Sequence, residues 1–363
     1  MTPPQLAATS LVTAAAVAVA LGAASCSPLP HRGQSASVSD ASAQVGADRA
    51  TNTSTDPGIR LGADPNPADT AAATADKTAD QTADQTAGQG AALPPVPQRW
   101  VGWKADRAWF PQHRLVGYSG YPNAPGQGRL GTGDLDGRVA EIVTLSESYA
   151  AGRTVVPTLE LIAVTVHGKP GRDGTYRTRA PDSVIQRYLQ AARRVGGLLL
   201  LNIQPGRSDF RTEVVALRKW LEQPDVGLAL DPEWRMGPGE VPMRVFGHVS
   251  GAELDSVGAY LSELVTERDL PPKVIVYHQL HVGIVRPPGA ITSRRGVSWV
   301  KSVDGIGSRA MKVGTWRRLT GGMPTFIRPG FKLFFQEDGE FGPVMTPQQV
   351  LSLTPAVDYV LYE

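Results

Sequence analysis

Asp231 and Glu233 stand two residues apart in GLALDPEWRM (residues 227–236), directly after an apolar run. A glutamate between apolar walls and beside a second carboxylate has its pKa raised, which suits a proton donor near neutral pH. Hydrolysis of a glycosidic bond needs such a donor, together with a group that stabilises the oxocarbenium-like state. Where the two acids point depends on the element that holds them. If GLALD is a strand, residues two apart share a face. Leu228 and Leu230 then face outward, and Gly227, Ala229, Asp231 and Glu233 face the other way.

Other apolar runs end in the same switch to polar residues. PTLELIAV places Glu160 on the face of Thr158 and Ile162, either as a ligand contact or paired with Lys332 or an arginine. LLLLNIQPG gives Asn202 and Gln204, either scaffold amides or ligand contacts. KVIVYHQL ends in Tyr277, His278 and Gln279, and the next run ends at Asp304, which could also be a turn residue before Gly305. Lys332 and Gln336 follow from GFKLFFQED, Tyr118 and Ser119 from RLVGYSGYP, and Trp234 lies beside the acid pair. Planar donors and acceptors with Tyr and Trp between them suit a sugar ring. The expected partner is therefore a carbohydrate or another small polar ligand. His278 and His281 form HxxH, but on a strand the two rings fall on opposite faces, so no metal is expected. Without a Walker loop or a Rossmann fingerprint, no nucleotide cofactor is expected either. The run QEDGEFG reads as a solvated loop.

These segments are eight in number, and most are followed by a helical or loop segment: 114–122, 154–166, 197–206, 226–234, 273–280, 299–307, 330–338 and 358–363. Strands alternating with amphipathic helices pair in parallel through right-handed crossovers. Eight units in about 265 residues predict an α/β fold, a (β/α)8 TIM barrel, whose active sites lie at the C-terminal strand ends. The rival, a doubly wound open sheet, more often carries a Gly-rich phosphate turn after its first strand. The pattern stops on strand eight, which predicts a barrel lacking its last helix. Residues 98–113, rich in Trp and Phe, either cover that gap or plug the barrel bottom.

Ahead of the barrel the composition changes twice. Residues 6–25 carry no charge and end in small residues before Cys26, the only cysteine, which excludes an intramolecular disulfide. A cleavable signal peptide and an uncleaved membrane helix both fit this stretch. AASC resembles the bacterial lipobox, which implies a lipoprotein signal peptide over 1–26 with Cys26 as the lipidated anchor. Residues 27–97 are rich in Ala, Thr, Asp, Gly and Pro and contain TADK-TADQ-TADQ-TAGQ. With almost no large apolar residues, they read as a disordered tether with a reach of about 45 Å. The barrel domain then spans 98–363. These readings place it on the extracytoplasmic face of the cell membrane, or secreted if Cys26 is not lipidated. Lys and Arg total 36 against 34 Asp and Glu, for a net charge of +2, and they are scattered rather than massed. Nucleic acid is therefore excluded as a partner, and a monomer is expected.

The DPE of residues 231–233 is similar to the DxE motif of barrel glycosidases, the family 25 lysozyme-type muramidases and the family 18 chitinase-type enzymes. The resemblance implies Glu233 as general acid and Asp231 as its helper, supporting an N-acetyl group or the developing charge. The chain has Val226 and Ala229 where the chitinase type has two further aspartates. It has GYSGY where the muramidase type carries an aspartate. The domain as a whole resembles an actinobacterial-type lipoprotein with a glycosidase-like barrel. Two readings follow: a lipid-anchored glycoside hydrolase of an envelope or extracellular glycan, or a non-catalytic glycan- or ligand-binding barrel on the same scaffold.

Overall fold

Strands buried on both faces read as continuous apolar runs, and each of the eight runs forms a parallel strand. The computed structural model describes residues 93–101 and 104–363. The readings for the signal peptide, Cys26 and most of the tether lie outside the described residues. The strands are β1 (His113–Gly120), β2 (Thr154–Val166), β4 (Leu198–Ile203), β5 (Val226–Leu230), β6 (Lys273–Gln279), β7 (Val297–Val303), β8 (Ile327–Leu333) and β9 (Tyr359–Tyr362). Their order is β1-β9-β8-β7-β6-β5-β4-β2, and pairing of β1 with β2 closes the barrel. The fold is thus the (β/α)8 barrel, and no helix follows β9 among the described residues.

The helices start where capping residues satisfy free N–H groups. Asp134 caps α1 (Leu135–Glu147) by accepting from the Gly137 N–H at 2.7 Å. Asp209 does the same for α3 (Phe210–Ala216), which follows α2 (Asp182–Arg194) and precedes the short α4 (Arg218–Leu221). Ser250 caps α5 (Gly251–Glu267) and Ser308 caps α6 (Arg309–Thr320). A reciprocal box between Thr346 and Gln349 opens α7 (Pro347–Leu351).

Two connections depart from the repeating unit. β2 runs on past the barrel rim and pairs antiparallel with β3 (Arg177–Arg179) before α2 begins. Arg177 and Arg179 hold the buried Glu213 of α3 at 2.9 and 2.7 Å, which anchors that hairpin. Between β6 and β7 only a 3-10 turn at Pro288–Ala290 forms, and no α-helix. Prolines 287 and 288 and the neighbouring glycines disfavour one, and the segment instead lies along α5, with Thr292 and Arg294 bonded to Asp255.

The core forms two layers. The larger lies between strands and helices, with Leu159, Leu161, Leu199, Leu201, Leu228 and Leu230 facing outward. The smaller fills the lower barrel interior: Leu115, Val156, Leu198, Leu200, Ala229, Val274, Val276 and Val300 pack on Trp100, Trp109 and Phe110. The aromatic segment before β1 therefore plugs the bottom, the second of its two expected roles. Trp109 donates to the Pro272 carbonyl at 2.8 Å and packs against Trp100 at 4.8 Å. Packing begins ahead of residue 98, because Leu93 touches the outer core and Arg193 donates to the Pro94 carbonyl at 3.0 Å. Among the described residues no helix is long and apolar enough to cross a membrane.

Candidate active site

Strand alternation carries the inward positions from hydrocarbon to polar groups within two steps. On β2 the sequence is Val156, Thr158, Glu160; on β4 it is Leu198, Leu200, Asn202; on β6, Val274, Val276, His278. Gly117 on β1 lets that strand lie against β2, since a Cβ there would fall 1.7 Å from the Thr158 carbonyl oxygen. The register that results sets Ser119 opposite Glu160. A bulge in β2 between Ile162 and Val164 follows just above, and frees its end for the β3 hairpin.

Glu160 is the hub of the lower tier and is fully buried. Its carboxylate accepts from Tyr359 at 2.5 Å, from His278 Nε2 at 3.2 and 3.3 Å, from Asn202 at 3.2 Å and from Ser119 at 3.3 Å. Burial pushes its pKa up, but His278, Lys332 and these bonds outweigh that and hold it below the ordinary carboxylate value. Burial lowers His278, and Glu160 more than restores it, so the imidazole titrates above its ordinary value. The pair is an ionic unit, and saturation of Glu160 argues against a catalytic role for it.

Asp231 and Glu233 form the upper tier, 5 % and 6 % exposed. Asp231 takes Asn202 Nδ2 on one oxygen at 2.9 Å and Gln204 Nε2 on the other at 3.1 Å. The side chain of Glu233, on the turn Pro232–Trp234, has a buried Oε2 without a partner, and among the described residues no cation pairs with it. Burial raises both acids, and Asp231 with Asp304 drives Glu233 well above the ordinary range. Two side-chain amides donate to Asp231 and none to Glu233, which favours charge on Asp231 over Glu233. Asp304 completes the tier, with Lys332 at 3.4 Å and His278 Nδ1 at 3.8 Å. Lys332 also pairs with Glu363 at 2.8 Å, and these carboxylates raise its pKa well above normal despite burial. The buried atoms Asn202 Oδ1, His278 Nδ1 and Ser302 Oγ lack hydrogen-bond partners in the same region. Buried polar atoms left unpaired are uncommon and mark places where a ligand can bond.

The structure thus brings together Glu160, Asn202, Gln204, Asp231, Glu233, His278, Asp304 and Lys332. It does not place three others in this cluster. Tyr118 faces outward, as the residue before inward Ser119 must, and its ring meets Phe335 at 5.8 Å and Tyr362 at 6.3 Å. Gln336 is exposed on the loop after β8. Trp234 is half-buried at the rim, edge-on to Phe246 at 5.9 Å. His281 is exposed and accepts from the Gly283 N–H, away from His278. The described residues hold no group of three His, Cys, Asp or Glu side chains arranged for a metal.

Tyr359 and Glu363 join the site although the sequence reading did not include them. Alternation along DYVLYE, which puts Tyr359, Leu361 and Glu363 on one face, was the available signal. Asp338, read as part of a solvated loop, is buried: it accepts from the Gly307 and Phe334 N–H groups and pairs with Lys312 at 2.8 Å. It ties the loops after β7 and β8 together above Asp304 and Lys332. Comparison with known protein families, with curated proteins and with solved structures returns no match for this chain.

Proposed function

We propose that the chain is a glycoside hydrolase in which Glu233 is the general acid. The observation that carries this reading is the Glu233 carboxyl itself: buried, without a hydrogen-bond partner at Oε2, and with its pKa pushed well above the ordinary range by burial and by Asp231 and Asp304. A proton donor of this kind at the C-terminal mouth of a barrel can protonate the leaving oxygen of a glycoside. Asp231, oriented by Asn202 and Gln204, supplies the neighbouring negative charge or an acceptor for the substrate, and Asp304 stands as the further carboxylate. Glu160 orients His278 and Asn202 from below. The DxE resemblance supports the same assignment. We further propose, from the AASC resemblance, that Cys26 carries a lipid that tethers the barrel to the extracytoplasmic face of the membrane.

The alternative, a non-catalytic glycan-binding barrel, is favoured by one observation: the acid pair is almost closed to solvent at the barrel mouth. One experiment separates the two. The protein and Glu233→Gln are incubated with peptidoglycan fragments and N-acetylglucosamine oligomers, and new reducing ends are sought by mass spectrometry. The hydrolase reading expects cleavage by the wild type and a loss on the order of 10²–10⁴-fold in the variant, with glycan binding retained. Binding without turnover in either protein supports the alternative.

A further inference from the structure

Among the described residues the exposed large apolar side chains gather at the barrel mouth, apart from Val101 and Val215. The loop between β5 and α5 carries Met243, Val245 and Phe246, at 62 %, 48 % and 53 % exposure. Val282, Ile306 and Phe341 continue the patch on the loops after β6, β7 and β8. Those four strands are consecutive in the sheet, so the apolar side chains occupy one continuous arc of the rim. Arg309 is exposed at the start of α6 beside the third of these loops, and Arg244 and Arg286 on the first two. Glu240 there is turned to the Gly237 N–H at 2.6 Å, and the exposed carboxylates Glu337 and Glu340 stand at the far end of the arc.

An exposed apolar patch rimmed by charge marks an interaction site. Its chemistry selects the occupant. Sugar rings stack on flat aromatic faces; of these six side chains only Phe246 and Phe341 offer one, whereas Met243, Val245, Val282 and Ile306 suit hydrocarbon chains. Arginines set among them match anionic headgroups, with the apolar side chains entering the acyl boundary.

We infer that this arc of the rim docks on the surface of an anionic phospholipid bilayer. In that pose the acid pair faces the headgroup layer. Resting on the hydrolase reading, the substrate is then a glycan whose sugar is carried by a membrane lipid.

The test reads docking without turnover, so it stands whether or not the hydrolase reading does. The full chain carrying Cys26→Ser, which cannot be lipidated, is mixed with vesicles of phosphatidylglycerol and phosphatidylcholine in equal parts, or of phosphatidylcholine alone. Amide hydrogen exchange then localises the contact. The expected result is slowing on the order of threefold or more in residues 241–248, 281–287 and 304–311 on the anionic vesicles. The loops after β1 and β4 keep their rates. Met243→Ser with Phe246→Ser, both at exposed positions, abolishes the slowing. No slowing on the arc, slowing that survives the double variant, or slowing as strong on phosphatidylcholine alone overturns the inference. A protein partner would give the first of these results.

Discussion

Below Thr158 the inward positions of the strands are hydrocarbon sealed by Trp100, Trp109 and Phe110; above it they are carboxylates, amides, an imidazole and an ammonium. The same strands build both ends. Most make the change within one or two steps along the inward face, so no separate domain or inserted loop is needed to form the site. The bottom buries area, and its contribution scales with the apolar surface removed from water. The top buries charge, which is costly unless every group is paired. The lower tier meets that condition through Glu160 and its four donors. The upper tier leaves Glu233 unmet. A buried carboxylate oxygen without a hydrogen-bond partner, set at the mouth of the barrel, distinguishes the candidate site from the scaffold below it.

Removing the plug should have the largest effect on stability and should leave the top intact. Trp109→Ala is expected to lose about 3–5 kcal/mol, read by urea unfolding, while Glu233 keeps its raised pKa in the fraction that remains folded. A fallen Glu233 pKa in that variant would show that the ends are coupled. Next comes the hub. Glu160→Gln removes the counter-charge of His278 and turns an amide toward donors, for a loss of about 3 kcal/mol. The pH dependence has a definite sign. Glu160 titrates below its ordinary 4.5, so its contribution is complete above that value and is lost as pH falls further. His278 titrates above its ordinary 6.5, so its contribution is complete below that value and is lost as pH rises through the shifted one. The deficit of Glu160→Gln should therefore peak between pH 4.5 and 6.5. A deficit independent of pH would mean that Glu160 acts by shape alone.

The contrast between the ends was largely legible in the sequence, because parallel strands buried on both faces leave long apolar runs and the site begins where the runs stop. In GLALD, Leu228 and Leu230 face the helices and Ala229 the interior, as alternation predicts, whereas Glu233 lies past the strand on the turn Pro232–Trp234, beyond the reach of that argument. One-residue ambiguity at strand ends hid the rest. Tyr118 and Ser119 were both plausible inward residues, and only the pairing of β1 with β2 decides for Ser119. Tyr359 in DYVLYE carries no local signal, because a tyrosine in an apolar strand shows its hydroxyl partner only when Glu160 is placed across the barrel. Asp338 sat in a charged run that resembles solvent-facing loop, and its partner Lys312 lies in a helix far off in sequence. Long-range ion pairs leave no local pattern.

A smaller effect sharpens the comparison from the bottom end. Lys273 is 1 % exposed at the foot of β6, donating to the Val226 carbonyl at 3.0 Å and to that of Gln223. Asp225, which would favour its charge, is already held by Arg193 at 2.7 Å. Burial lowers the Lys273 pKa from 10.5 to about 7, against the pull of Asp225. Between those values the unfolded chain binds a proton that the folded chain does not, so stability rises with pH across that window. Seen from the other side, the neutral amine's advantage is complete above 10.5 and is lost as pH falls through about 7. Lys273→Met keeps most of the volume and cannot titrate. It loses the two carbonyl bonds at a cost of about 2 kcal/mol, but its stability should not climb over that range as the wild type's does. The gap between the two proteins should thus widen from neutral to alkaline pH, whereas that for Glu160→Gln narrows as His278 loses its charge. Parallel curves for Lys273→Met and wild type would mean that the amine stays charged, and that the foot of the barrel tolerates charge as the mouth does.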